Sequence, residues 1–243
     1  MKVLEYEFTE RFEKFYKSAK KKLKRNIVFY PIDEHPSEYV KDTRGAHYID
    51  EMTLSVFINT KKLESTEAEV TAAEDIQYAL LRADEKFPFA MGNTNLSEEK
   101  LFEAEVIAGT LTASVHYLAV IARLKKLGFW IEAVLEKDTK ELVGILSVPG
   151  FTEPPAGSPP FYNLTMKYIE SHFYEGINKE EVIGLYQKRA NLITAAGEVG
   201  LEIVKRYGYD TPKKCLNTMI DLRDMFELKE KVWIMNAETD IVF

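Results

Sequence analysis

The sequence contains a single cysteine, Cys215, and only four histidines, His35, His47, His116 and His172. One cysteine cannot form an internal disulfide, which favours a reducing compartment, so the cytoplasm is the expected location. The histidines are scattered through the chain and form no zinc-binding cluster with the cysteine, so no metal or other cofactor is predicted. Because no histidine or asparagine follows Cys215 at a spacing typical of a nucleophile, we expect its thiol to be inert.

Positive charge is also scarce, since 32 Lys and Arg against 39 Asp and Glu give a net charge of -7 over 243 residues. That balance argues against nucleic acid as a partner, because phosphate binding needs a dense positive field. The basic run from Lys20 to Arg25 is interpreted as a solvated helix end, where cations complement the helix dipole. No signal peptide and no apolar run near the ~18–20 residues of a membrane span are found, so a membrane is not expected either.

The chain also lacks a glycine-rich phosphate loop and a nucleophile elbow. Its 46% hydrophobic and 29% charged residues are typical of a folded soluble protein. The predicted class is α+β, with a small mixed sheet and a predominantly helical remainder. Residues 1–148 are expected to form the α+β core and 161–243 a helical lobe. Five prolines mark 149–160 as a loop between them, within what is expected to be one compact unit.

Helical and strand patterns can be placed along most of the chain. Thr9 is predicted to start the first helix, and Asn26 to end it. Apolar residues at 101–122 repeat in three- and four-residue steps, which predicts a helix of about 30 residues that stops at Gly128. Strands are expected at 27–30, at 54–58, where apolar side chains alternate, and at 232–235. Thr211 before Pro212 predicts the start of a last helix.

One further helix is predicted in the C-terminal part of the chain. Asn178 with Glu181 forms a second capping-box pattern, and apolar spacing continues to Gly208. A single long helix is therefore expected over this range. Glu198 and Glu202 lie one turn apart on it, and an exposed acidic face is favoured over an acid–base pair.

The segment that begins at Thr66 contains the most unusual polar residue of the sequence, Gln77. Thr66 with Glu69 is a capping box, and the apolar stripe that follows is interrupted by Gln77. An amide on a buried stripe costs a few kcal/mol unless something bonds to it. Glu74 lies one turn away, so both head groups could reach one pocket.

The run AAEDIQYALLRADEKFP, which begins at Ala72, resembles the active-site helix of gluzincin-type zincin metallopeptidases. In that family H-E-x-x-H supplies two zinc ligands and a general base. The matching positions here keep Glu74 but carry Ala73 and Gln77 in place of both histidines. Glu105, in the run E-V-I-A, matches the family's downstream third ligand. The strand TLSVFIN, with Phe57 and Asn59, is similar to the family's substrate-binding edge strand.

This resemblance implies a catalytically degenerate relative that binds a peptide, protein or small ligand in the former active-site cleft. Glu74 is the candidate catalytic residue, and Gln77, Glu105, Ala73, Phe57 and Asn59 are the candidate cleft residues. No metal is predicted, because the resemblance leaves at most one carboxylate where zinc needs three protein ligands.

Three other interpretations remain open. The site could be rebuilt around carboxylates and a non-zinc cation as an active hydrolase. The helices could form a homo-oligomeric interaction module. Glu74 could simply face solvent and Gln77 be half exposed, while Glu105 could serve in a salt bridge.

Overall fold

The computed structural model describes residues 1–83, 85–174 and 178–243. Helices hold 58% and strands 13% of the residues, which confirms the predicted α+β class with a mostly helical remainder. The chain is grouped into two compact units. The first comprises residues 1–85 and 120–134, and the second residues 86–119 and 135–243. The predicted division at residues 149–160 stays a prediction.

The first unit contains a strand pair, a three-stranded sheet and two helices that lie wholly within it. In chain order these are β1 (Lys2–Val3), β2 (Tyr6–Glu7), α1 (Glu10–Leu23), β3 (Asn26–Pro31), β4 (Gly45–Ile49), β5 (Thr53–Ile58) and α2 (Ser65–Ala83). The unit also includes the end of α3 (Glu98–Lys126). Helices α1 and α2 pack on each other, and α2 packs on β4 and β5.

The second unit is mostly helical and holds a small antiparallel sheet of order β6-β7-β8. Its elements are β6 (Phe89–Gly92), the first part of α3, most of α4 (Glu132–Ser147), α5 (Pro159–Ser171), α6 (Lys179–Arg189), α7 (Asn191–Tyr207), α8 (Pro212–Met225), β7 (Val232–Asn236) and β8 (Ile241–Val242).

Helix α1 begins as the sequence predicts but ends earlier. The Thr9 side chain accepts a hydrogen bond from the backbone N–H of Phe12 at 3.3 Å. The helix stops at Lys24, whose φ of 54° is left-handed. Asn26 was predicted as the end and is not, because it already pairs with β5 in the sheet.

The sheet of the first unit has the order β3-β5-β4, with β3 parallel and β4 antiparallel to β5. Leu54, Val56 and Ile58 are fully buried, which confirms the alternation predicted for β5. The prediction that β5 is an edge strand is wrong, since both of its sides are occupied by neighbouring strands. Strands β3 and β4 form the borders instead.

The predicted capping box at the start of α2 is also wrong. The helix begins before Thr66, and the N–H of Glu64 donates to the Glu67 carboxylate at 2.8 Å, so the cap lies two residues earlier. The buried Glu69 carboxylate instead accepts from the backbone N–H and the hydroxyl of Thr9, at 2.6 and 2.8 Å. It therefore joins the start of α1 to α2.

Helix α3 is continuous over 29 residues, and Gly128, with φ of 79°, follows its end as predicted. Contrary to the sequence-based expectation, α3 is long and apolar enough to cross a membrane by length and composition alone. However, 61% of its most apolar window is buried inside the protein, as in the core helix of a soluble protein.

Two helices, α6 and α7, replace the single helix predicted from Asn178 to Gly208. The backbone leaves the helical region at Ala190, with φ of -141° and ψ of 67°, and the Asn178 side chain makes no cap. Apolar periodicity cannot reveal this break, because alanine is a strong helix former. Beyond the break, α5 approaches α7 so closely that a Cβ on Gly197 would collide with the Tyr168 ring.

Candidate functional site

The candidate catalytic residue Glu74 is a buried, ion-paired carboxylate of α2. Its side chain is 8% exposed, and Oε2 lies 3.4 Å from Nη1 of Arg44, which immediately precedes β4. The alternative that Glu74 faces solvent is therefore wrong. The contact therefore places opposite charges side by side within the first unit.

A second polar contact lies beside this pair and was not predicted. Oδ1 of Asp75 is 2.8 Å from Nδ1 of His47 on β4. The strand comes close to the helix here because Gly45 has no side chain: a Cβ would lie 2.9 Å from Oδ2 of Asp75. A carboxylate on one ring nitrogen fixes the orientation of the imidazole.

The candidate cleft residues Phe57 and Asn59 are buried, and both contact other residues of the first unit. Phe57 lies in β5 and Asn59 just beyond its end. The Asn59 amide donates to the carbonyls of Thr43 and Lys41, at 2.9 and 3.3 Å. The Phe57 ring stacks on Tyr30, with centroids 5.4 Å apart. These contacts tie the loop before β4 to the sheet, and a role in ligand binding stays a prediction.

Ala73 and Glu105, the other two candidates of the zincin pattern, differ in exposure. Ala73 is fully buried in α2 and offers no ligand atom. Glu105 is exposed on the part of α3 that belongs to the second unit, beside Gly92, and makes no ion pair with another described residue. Its pairing with Glu74 stays a prediction.

The candidate Gln77 lines a cavity of about 540 Å³ in the first unit, which we call the α1–α2 cavity. Gln77 is only 4% exposed, and its amide has no hydrogen-bond partner among the described residues. The half-exposed alternative is therefore wrong. The apolar lining consists of Phe15, Ala19, Leu80, Leu127 and Phe129.

The charged lining of the α1–α2 cavity is strongly one-sided. Its cations are Arg11, Lys14, Lys22, Arg123 and Lys126, and its one described carboxylate is Glu85. Glu85 is already neutralised, because both of its oxygens accept from the Arg123 guanidinium, at 2.6 and 2.7 Å. The other four cations form no ion pair with a described residue.

The polar position of Gln77 was predicted from the sequence, but the cations around it were not. Arg11, Lys14, Ser18 and Lys22 follow one another at three- and four-residue steps, so they share a face of α1. That spacing was a usable signal. The basic run that ends α1 does complement the helix dipole, as predicted, but Lys22 within it also lines the cavity.

Two residues of the second unit, His116 and Cys215, are buried and have structural roles. His116 is 1% exposed, and its Nε2 lies 2.7 Å from the carbonyl oxygen of Pro88, which identifies a satisfied core histidine. Cys215 is fully buried in α8, and this burial raises the pKa of its thiol. A thiol that resists ionisation is a poor nucleophile.

Glu198 and Glu202, one turn apart on α7, contact different residues. Glu198 accepts a hydrogen bond from the hydroxyl of Tyr168, and burial together with this carboxylate raises the pKa of Tyr168. Glu202 makes an exposed ion pair with Lys205. His172 and Glu175, three residues apart, are a second candidate acid–base pair in the sequence, but Glu175 lies outside the described residues.

Within the described ranges, no group of three or more His, Cys, Asp or Glu side chains is arranged to hold a metal ion. No family model, curated protein or solved structure matches the chain. The zincin resemblance therefore stays a prediction.

Proposed function

We propose that the protein binds a small molecule with an apolar body in the α1–α2 cavity, as a non-catalytic relative of the zincin metallopeptidases. The observation that carries the binding proposal is Gln77, whose buried amide faces a cavity without a partner from the described chain. An amide in a largely buried position costs free energy unless water or a ligand in the cavity bonds to it. Such locally unfavourable groups are typically retained where function requires them.

The surroundings of the zincin-like motif support a non-catalytic role. Ala73 and Gln77 stand where the family has zinc ligands, and Glu74 is held by Arg44. The volume of the cavity, about 540 Å³, favours a small molecule over an extended peptide. We propose a cytoplasmic location on the same grounds as the sequence analysis.

Binding of the neutral fluorophore N-phenyl-1-naphthylamine tests this proposal. We expect one saturable site per chain, because the probe is apolar and uncharged and needs only the apolar lining. The Ser18→Phe variant should abolish that site, since Ser18 lines the cavity from α1 and is exposed, so that a ring there would obstruct it.

The matched control is Lys20→Phe, which adds the same ring to an exposed position of α1 outside the cavity lining. It should bind the probe as the unmodified protein does. Absence of saturable binding, or equal binding by both variants, would overturn the proposal.

A further inference from the structure

We infer that the ligand of the α1–α2 cavity is an anionic amphiphile, with a carboxylate, sulfonate or phosphate head on an apolar body. This inference rests on the proposed function and adds the chemistry of the ligand's head.

Charge provides the first argument. The cavity lining contains five cations and one described carboxylate, Glu85. Arg123 already neutralises that carboxylate. The chain as a whole has 39 acidic and 32 basic residues, so an excess of cations at one cavity does not follow from composition. Like charges gathered around a cavity repel one another, and an anion placed among them removes that repulsion.

The positions of the cations provide the second argument. Lys14 and Lys22 lie two turns apart on one face of α1, and both are exposed. Lys126 adds a third exposed ammonium from the end of α3. These flexible side chains can converge on one head group from two helices while their stems cover the apolar lining.

The lining beneath the cations provides the third argument. Ala19, Leu80 and Phe129 are buried, and the Phe129 ring meets Phe15 edge to face at 5.5 Å. Apolar surface of this kind suits a hydrocarbon or an aromatic body. Gln77 adds an amide whose N–H groups can donate to the anionic head.

The lining also separates this ligand class from a nucleic acid. A polyanion needs an extended positive surface along its backbone. Here the cations surround a cavity of about 540 Å³ whose lining includes buried apolar residues, which matches a single small molecule.

A matched pair of probes tests the inference. 8-Anilino-1-naphthalenesulfonate carries the ring system of N-phenyl-1-naphthylamine with one added sulfonate. We expect the sulfonate probe to bind the unmodified protein about tenfold more tightly than the neutral one, because several cations face its head. Rising salt concentration should weaken only the sulfonate probe, since salt screens charge.

Two double variants of α1 locate the binding. Lys14→Gln/Lys22→Gln removes two lining cations, whereas Lys20→Gln/Lys21→Gln removes two exposed cations of the same helix that do not line the cavity. The first should weaken the sulfonate probe about fivefold and leave the neutral probe unchanged, because exposed charges contribute modestly to binding and little to folding. The second should change neither probe.

Displacement of the sulfonate probe distinguishes the possible heads. Decanoate and decyl phosphate should both compete, with their order showing whether carboxylate or phosphate is preferred, whereas decanol should compete far less.

The inference would be overturned if the neutral probe bound as tightly as the sulfonate, or if the two double variants behaved alike. In either case saturable binding of the neutral probe, blocked by Ser18→Phe, would leave the proposed function intact. If the neutral probe showed no saturable binding, both the inference and the proposed function would be overturned.

Discussion

The buried polar residues on the two sides of helix α2 differ in whether the described chain offers them a partner. Towards β4, Glu74 and Asp75 meet Arg44 and His47 of the same chain. Towards α1, Gln77 meets a cavity. A buried polar group with a partner in the fold stabilises that fold, whereas one without such a partner costs stability. At Gln77 the amide lines a cavity, where a ligand can reach it.

The largest expected effect comes from removing Glu69, which has its partners within the fold. Glu69→Ala should lower the free energy of unfolding by about 3 kcal/mol, because two hydrogen bonds to a buried carboxylate are lost. Urea unfolding measures the change. Glu69→Gln keeps one acceptor oxygen and should lose less, and equal losses in the two variants would contradict this account.

Removal of Glu74 should have the next largest effect. Glu74→Ala leaves Arg44 without this carboxylate and should cost about 2 kcal/mol of unfolding free energy, below the range for fully buried pairs because Arg44 is partly exposed. The double variant Glu74→Leu/Arg44→Met, compared by thermal unfolding, should be more stable than Glu74→Ala. A gain in stability from Glu74→Ala alone would show that the pair does not stabilise the fold.

A smaller effect concerns His172 in the second unit, a half-buried residue whose buried Nε2 has no hydrogen-bond partner among the described residues. Burial lowers the pKa of His172, Glu198 opposes this shift, and Lys179 and Lys205 add to it. The unfolded chain therefore takes up the proton at higher pH than the folded one. Stability should fall as the pH drops through the ordinary histidine value of 6.5 and below it.

The measurement is the unfolding free energy against pH for the unmodified protein and for His172→Gln. The variant should lack this part of the slope below pH 6.5. Parallel curves for the two proteins would show that His172 does not contribute to the pH dependence.

The smallest expected effect on stability comes from Gln77, and it should differ in sign from the effects of Glu69 and Glu74. Gln77→Leu should leave the free energy of unfolding unchanged or raise it by up to about 1 kcal/mol, because an unpaired buried amide is removed. The same variant should bind the sulfonate probe less tightly in a fluorescence titration and the neutral probe at least as well. A loss of stability comparable to that of Glu69→Ala would show that Gln77 serves the fold.

Local patterns predicted the elements well where local chemistry decides them. Thr9 starts α1, Thr211 starts α8 through a hydrogen bond from the N–H of Lys214, and Gly128 follows the end of α3. The capping box at Thr66 failed because α2 begins one residue before Thr66 and the Glu69 carboxylate bonds to Thr9, 60 residues away in the sequence. A local rule cannot weigh such a distant competitor.

The candidate site was predictable only in part. Gln77 was visible as a polar residue on an apolar stripe, and its burial is confirmed. His47 was visible only as an isolated histidine, because its contact with Asp75 depends on how closely β4 approaches α2 at Gly45.

The sequence by itself determined the α+β class, most helix and strand positions and the unusual polar position at Gln77, because composition, periodicity and caps act over a few residues. Only the tertiary structure decided which residues contact each buried polar group, which strand lies at the centre of the sheet and where four cations gather without an ion pair to a described residue. Those outcomes depend on contacts between residues that are distant in the chain, and the free energy of such contacts is set by packing and not by sequence spacing.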